Sequence, residues 1–244
     1  LTLRSESEDI FIEKADIKGR RMDPNSMMPV GQLETLTEAE AVALVAYLQS
    51  DSQVPMRLTE SGLDYVFDEE TLLGWHGDEG LWSVQDGAIT GSTPGIESNA
   101  FLVSDFEVRD FRMIVSVKLD PNAGNSGIQF RSRVTEDGSV AGYQADVGVG
   151  WWGFLYDEHG RGVVAEATDV PIEQGGWNTY EILAVGDRIQ TAINGHRCVD
   201  FTDPEPTLRG IIAFQLHSSA EPFEVQFKDL RLELDPDAIL QTVK

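Results

Sequence analysis

From Gly62 to Leu234, apolar and polar residues trade places every second position, in short runs cut by Gly, Asp and Asn. A period of two belongs to strands with one buried face, and turn residues between such runs mark hairpins. Met113, Val115, Val117 and Leu119 alternate with Ile114, Ser116 and Lys118, and Phe223, Val225 and Phe227 with Glu224, Gln226 and Lys228. Asp86-Gly87, Gly186-Asp187 and Asn194-Gly195 each stand between strand-like runs, and Asn-Gly is the strongest hairpin signal among them. No strand–helix–strand alternation breaks the pattern, which argues against a doubly wound nucleotide fold. The pattern predicts an all-β domain, a two-sheet antiparallel jelly-roll sandwich of about a dozen strands.

Three of these runs carry an unusual second face. Ser126, Ile128 and Phe130 share one side of a strand, with Gln129 and Arg131 on the other. Tyr143, Ala145 and Val147 oppose Gln144 and Asp146, and Ile212, Phe214 and Leu216 oppose Gln215 and His217. A solvated strand face is usually Thr, Lys, Glu and Ser, so this set reads as the lining of a cleft. Two plainer readings stay open: Arg131 and Asp146 as a cross-strand ion pair, and His217 as a structural hydrogen bonder. Trp151 and Trp152 follow the second strand, where a tryptophan pair reads as a core or rim plug.

Residues 1–58 follow another rule. Two short strand-like stretches, LTLRS and EDIFIEKADI, lead into a turn-rich loop. Thr37 and Glu40 then make a capping box, and Ala41, Leu44, Val45 and Leu48 form the stripe of an amphipathic helix over about 37–50 that packs on a neighbouring surface. DSQVP reads as a linker. The predicted organisation is an N-terminal α+β extension over 1–58, the sandwich over 59–236, and a tail over 237–244, with a short helix expected in DPDAIL. Leu1 is not a start methionine, so a fragment of a longer polypeptide is expected.

Composition narrows the chemistry. With 18 basic and 42 acidic residues, the net charge of -24 argues against nucleic acid or an anionic membrane as partner. No apolar run is long enough for a membrane span. The single cysteine, Cys198, excludes an internal disulfide and a cysteine metal cage, and its strand setting predicts a buried, inert thiol. Asp157-Glu158-His159 precedes Gly160 in a turn signal and reads as a solvated turn, and His196 follows a hairpin turn and reads as exposed. No metal is expected. There is no serine nucleophile elbow and no phosphate loop.

An ordered set of motifs covers about Gly62 to Leu234: FDEETLLGW, LWSVQDGAITG, GNSGIQFRSR, GYQADVGVGWWGFLYDEHGRG, GGWNTYEI, AINGH, IIAFQLHS and VQFKDLRLEL. In this order they resemble the 3-keto-disaccharide hydrolase-like domains, which share the concanavalin-type lectin/glucanase jelly roll. Many members read Tyr-Glu-Val-Gln where this chain has Tyr143-Gln144-Ala145-Asp146. The resemblance implies a carbohydrate ligand carrying a ketone at C3, cleaved by loss of the C2 proton and elimination at C1. On that expectation Asp146 and His217 are base and acid in either order, and Arg131 stabilises the oxyanion. Gln129, Gln144 and Gln215 bind hydroxyls, and Tyr143, Trp151 and Trp152 complete the substrate site. The alternative is a lectin-like module that binds sugar without chemistry. A shorter match, Ser26-Met27-Met28-Pro29 followed by LTEAEAVALVAYL, resembles the tail of a c-type cytochrome-like haem domain. It implies an upstream domain of the same polypeptide and an exported, periplasmic or cell-surface setting, with Met27 or Met28 as axial ligand. Without a Cys-x-x-Cys-His, no haem is expected in this chain.

Overall fold

The computed structural model describes residues 2–4, 9–11, 36–49 and 55–243, with isolated positions at 13, 15, 17, 19, 31 and 34. It divides into two compact units, Leu1–Leu48 and Gln49–Lys244.

In the first unit, β1 (Thr2–Arg4) pairs antiparallel with β2 (Asp9–Phe11), and α1 runs over Glu38–Gln49. The capping box forms as predicted. The Thr37 amide donates to Glu40 Oε2 at 2.7 Å, and the Glu40 amide donates to Thr37 Oγ1 at 3.3 Å. Along its apolar stripe Val45 is 45% and Leu48 71% exposed. Met27 and Met28 lie outside the described residues.

The second unit is the sandwich. β3 (Met56–Arg57), β4 (Trp75–His76), β7 (Ala100–Val108), β9 (Asn125–Val134), β10 (Val140–Gly148), β11 (Leu155–Glu158), β12 (Gly162–Ala165) and β16 (Gly210–Leu216) make one sheet. Its order is β12-β11-β10-β9-β16-β7-β3, with β4 also on β7. Only the edge pair β3–β7 is parallel. The facing sheet is β15-β14-β13-β8-β17-β6-β5, from β5 (Trp82–Gln85), β6 (Ala88–Thr93), β8 (Phe111–Asp120), β13 (Asn178–Val185), β14 (Arg188–Ile193), β15 (His196–Thr202) and β17 (Phe223–Leu234). The alternating residues meet between the sheets as predicted. Val115, Val117, Val225 and Phe227 from one sheet and Ile128, Phe130, Ala145 and Phe214 from the other share one core, with Phe214 stacked 4.1 Å from Phe227.

The tail departs from expectation. No helix forms over DPDAIL; the chain runs as a strap instead. Arg112 donates to the carbonyls of Asp237 and Ile239, and Glu181, wholly buried, accepts from the amides of Gln241 and Thr242. Arg112 and Glu181 also pair directly. A charge pair so deeply buried needs every remaining lone pair and proton satisfied, and the strap supplies those partners in a way a solvated helix would not.

Candidate functional site

The polar set sits on the face of the eight-stranded sheet turned away from the core. Register places Asp146 opposite Gly127, and Gly127 opposite Gln215. One step along, Gln144 faces Gln129, and Tyr156 of β11 faces Gln144 on its other side. Gly127 leaves the room this arrangement needs. A Cβ there would come within 2.3 Å of the Gln144 side chain, which leans across it.

The side chains form a directed chain of hydrogen bonds. Gln144 Nε2 donates to Asp146 Oδ1 at 2.6 Å, Gln129 Nε2 donates to Gln144 Oε1 at 2.9 Å, and Ser132 Oγ donates to Gln129 Oε1 at 3.0 Å. The carboxylate sets the direction. Ionised, it can only accept, so it takes the Gln144 amide nitrogen and each later amide is oriented in turn. Asp146 Oδ2 makes no hydrogen bond among the described residues. Asp146 is 3% exposed, and burial pushes its carboxyl up to about 7; Gln144 pulls the other way and Glu158 adds a smaller upward push. A carboxyl poised near neutrality can both take and return a proton.

Arg131 corrects the reading from alternation. It does not share the face of Gln129, because β9 bulges there: one residue of β10, Gly142, lies opposite both Arg131 and Ser132. Arg131 has a φ of 47°. The extra residue shifts the side-chain phase. Ser132 takes the place on the outer face, while the Arg131 guanidinium turns to the carbonyls of Arg109 and Gly186 and to Asp110 Oδ1, all within 2.9 Å. Those partners sit in the β7–β8 crossover between the sheets and in the β13–β14 hairpin, so Arg131 braces one sheet against the other. Gly142 is required where the bulge meets β10. Its φ is 137°, and a Cβ would come within 2.5 Å of Ser132 Oγ.

Two other expected site residues also lie elsewhere. Tyr143 points into the core, stacks 5.6 Å from Phe130, and donates a hydroxyl hydrogen bond to Asp203; burial and Asp203 push its pKa up to about 12. Asp203 is held well below the usual carboxylate range by Arg161, which grips both its oxygens and also Asp157. Trp152 is 7% exposed and belongs to the core cluster, with its indole N–H on Asn122. Trp151 is 40% exposed and stands edge-on to Phe154 and Tyr156, beside the amide chain.

His217 continues the alternation past the end of β16. Its amide donates to the Asn125 carbonyl and its Nδ1 lies 2.9 Å from the Ser218 carbonyl. It is exposed, two strands over and one step along from Asp146, which standard strand spacings make about 12 Å between Cα atoms. Beyond it, the 94–97 and 218–220 loops border an open hollow of about 500 Å³.

The structure adds a member that alternation does not reveal, Ser132, brought round by the bulge. Apart from the site, His76 opposes Val103 on the same sheet face at its far edge and contacts Asp105. A two-residue strand in a turn-rich stretch leaves no periodic signal to find it by. Burial pushes the Cys198 thiol up to about 11, which keeps it protonated at neutral pH. No metal-capable cluster occurs among the described residues.

A family model for the 3-keto-alpha-glucoside-1,2-lyase-like domain matches residues 62–233. Among solved structures, a protein classed as a glycosyl hydrolase from Parabacteroides distasonis aligns with a TM-score of 0.54 at 18% identity, over 74% of this chain and 98% of its own. The carbohydrate-binding module CBM66 from Bacillus subtilis aligns with a TM-score of 0.53 at 21% identity, over 66% of this chain and 95% of its own. These identities establish a shared sandwich fold. A search of curated proteins found no match.

Proposed function

The chain belongs to the 3-keto-alpha-glucoside-1,2-lyase-like domain family, and on that premise we propose that the sandwich is a carbohydrate-active domain that cleaves 3-keto-glycosides by elimination. The observation that carries this reading is the buried Asp146 carboxyl, poised at about 7 with one oxygen held by Gln144. A C3 ketone acidifies the C2 hydrogen. Asp146 takes that proton, and the C–H electrons form the C2–C3 enolate. The enolate then collapses to the ketone, a C1–C2 double bond forms, and the C1–O bond breaks. The departing oxygen receives a proton from His217, exposed at the sheet end where a leaving group meets solvent. Water added across the double bond, hydroxyl at C1 and proton at C2, makes the net result hydrolysis. Trp151 supplies an exposed ring for stacking on the sugar. The Parabacteroides protein and CBM66 support a sugar ligand through a fold they share with this chain.

The test is a paired assay on a 3-keto-disaccharide and its unoxidised parent, with wild type and Asp146→Asn. Turnover of the keto-sugar alone, lost in the variant, is expected. Binding of both sugars with turnover of neither overturns the enzyme and leaves the sugar-binding module.

A further inference from the structure

We infer that Gln215 is the oxyanion donor of this site, the group that meets the charge developing on the C3 oxygen; this rests on the elimination reading above. Proton loss at C2 sends negative charge to that oxygen, and a preorganised N–H aimed at it is what such a step requires. Arg131 is unavailable, since its guanidinium is committed between the sheets. The other amides are already tied into the chain: Gln144 Nε2 spends one N–H on Asp146, Gln129 Nε2 spends one on Gln144, and the Ser132 hydroxyl is shared between Gln129 and a nearby carbonyl.

Gln215 differs from all of these. It is wholly buried, and among the described residues neither Nε2 nor Oε1 has a hydrogen-bond partner. Flipping the amide does not help, because both ends are bare. Buried amides are otherwise paired almost without exception, and an orphan persists where function requires it. Its place suits the chemistry. Asp146 and Gln215 flank Gly127 in one register row, about 10 Å apart at Cα, with the Gln144 side chain lying across Gly127 between them. The C2 hydrogen and the C3 oxygen sit on adjacent ring atoms, so one sugar ring lying over Gln144 meets base and donor together. Both groups are under 5% exposed, so the ring reaches them by displacing what covers them.

The test is Gln215→Met, which keeps the volume and removes the amide. We expect kcat on the 3-keto-disaccharide to fall about 100- to 1,000-fold, with KM changed much less. Exchange of the C2 hydrogen with deuterated water, which reports proton abstraction alone, falls in parallel. The thermal midpoint rises by about 3 °C, because an unpaired buried amide has been removed. Retained turnover and exchange within about threefold of wild type overturns the assignment, since a donor worth a hundredfold or more has then been lost without effect. So does a variant that loses activity and stability together, which marks a packing role. If wild type itself neither cleaves nor exchanges the keto-sugar, the elimination reading fails first and this role with it.

Discussion

Two side chains in the sandwich are buried for opposite purposes, and their pH and mutational behaviour should separate them. Asp146 ionises at about 7 when folded, against about 4 in an unfolded chain. A raised carboxyl is destabilising once ionised. The contribution of Asp146 to stability is therefore greatest below about pH 4, falls as pH rises to about 7, and changes by up to about 4 kcal/mol across that window. Asp146→Asn is expected to flatten the profile and to unfold at higher temperature than wild type at pH 8, checked by thermal melts across pH. Activity should run the other way in wild type, rising through pH 7 as the base ionises. Arg131 is the contrasting case. Arg131→Met leaves the Arg109 and Gly186 carbonyls without their donor and Asp110 with the Gly186 amide alone, and a loss of about 3 kcal/mol in urea unfolding is expected. Activity per folded molecule should change little. A selective loss of kcat with unchanged stability would return Arg131 to the chemistry.

At the level of strands and helices, much was legible and the exceptions have physical causes. Alternation placed Gln129, Gln144, Asp146 and Gln215 on one face because the period of two holds unbroken through 129 on β9, through the site portion of β10 and at the end of β16. It failed at Arg131, where an inserted residue is invisible to a reading that assumes constant phase. It was silent about His76, whose strand is two residues long. The capping box was legible since it needs only two residues at fixed spacing. The DPDAIL strap was not, because its conformation is dictated by Arg112 and Glu181, far away in sequence. The bulge itself gives an element-scale prediction. Gly142→Ala forces a side chain into a backbone of φ 137° and against Ser132, so a cost of about 2 kcal/mol is expected. The Ser132–Gln129 bond should be displaced with it, which urea unfolding and the pH dependence of turnover would register together.

Over the whole sandwich, stability depends on ties between distant parts of the chain as well as on the apolar core. The strap is the clearest. Removing residues 236–244 strips two carbonyls from Arg112 and two amides from Glu181, both deeply buried. The remaining pair is under-satisfied in a dry setting, so a drop of about 5–10 °C in thermal midpoint is expected. Restoring the strap as a longer tail should recover it, whereas an unchanged melt would show that Arg112 and Glu181 suffice alone. The net charge of -24 adds a diffuse term, since like charges over one surface repel and dissolved salt screens them.

The extra residue at Arg131 works like a shift of reading frame. Upstream of it one parity of β9 faces the side of the amide chain; downstream, the other does. Substitutions at 131 or 132 change a brace or one link in the amide chain. Deleting Ser132 would iron out the bulge and put Arg131 on the outer face beside Gln129, whereas deleting Arg131 would keep Ser132 outward and remove the brace between the sheets. In lineages descended from this sheet, length at this point is therefore expected to be guarded more strictly than identity.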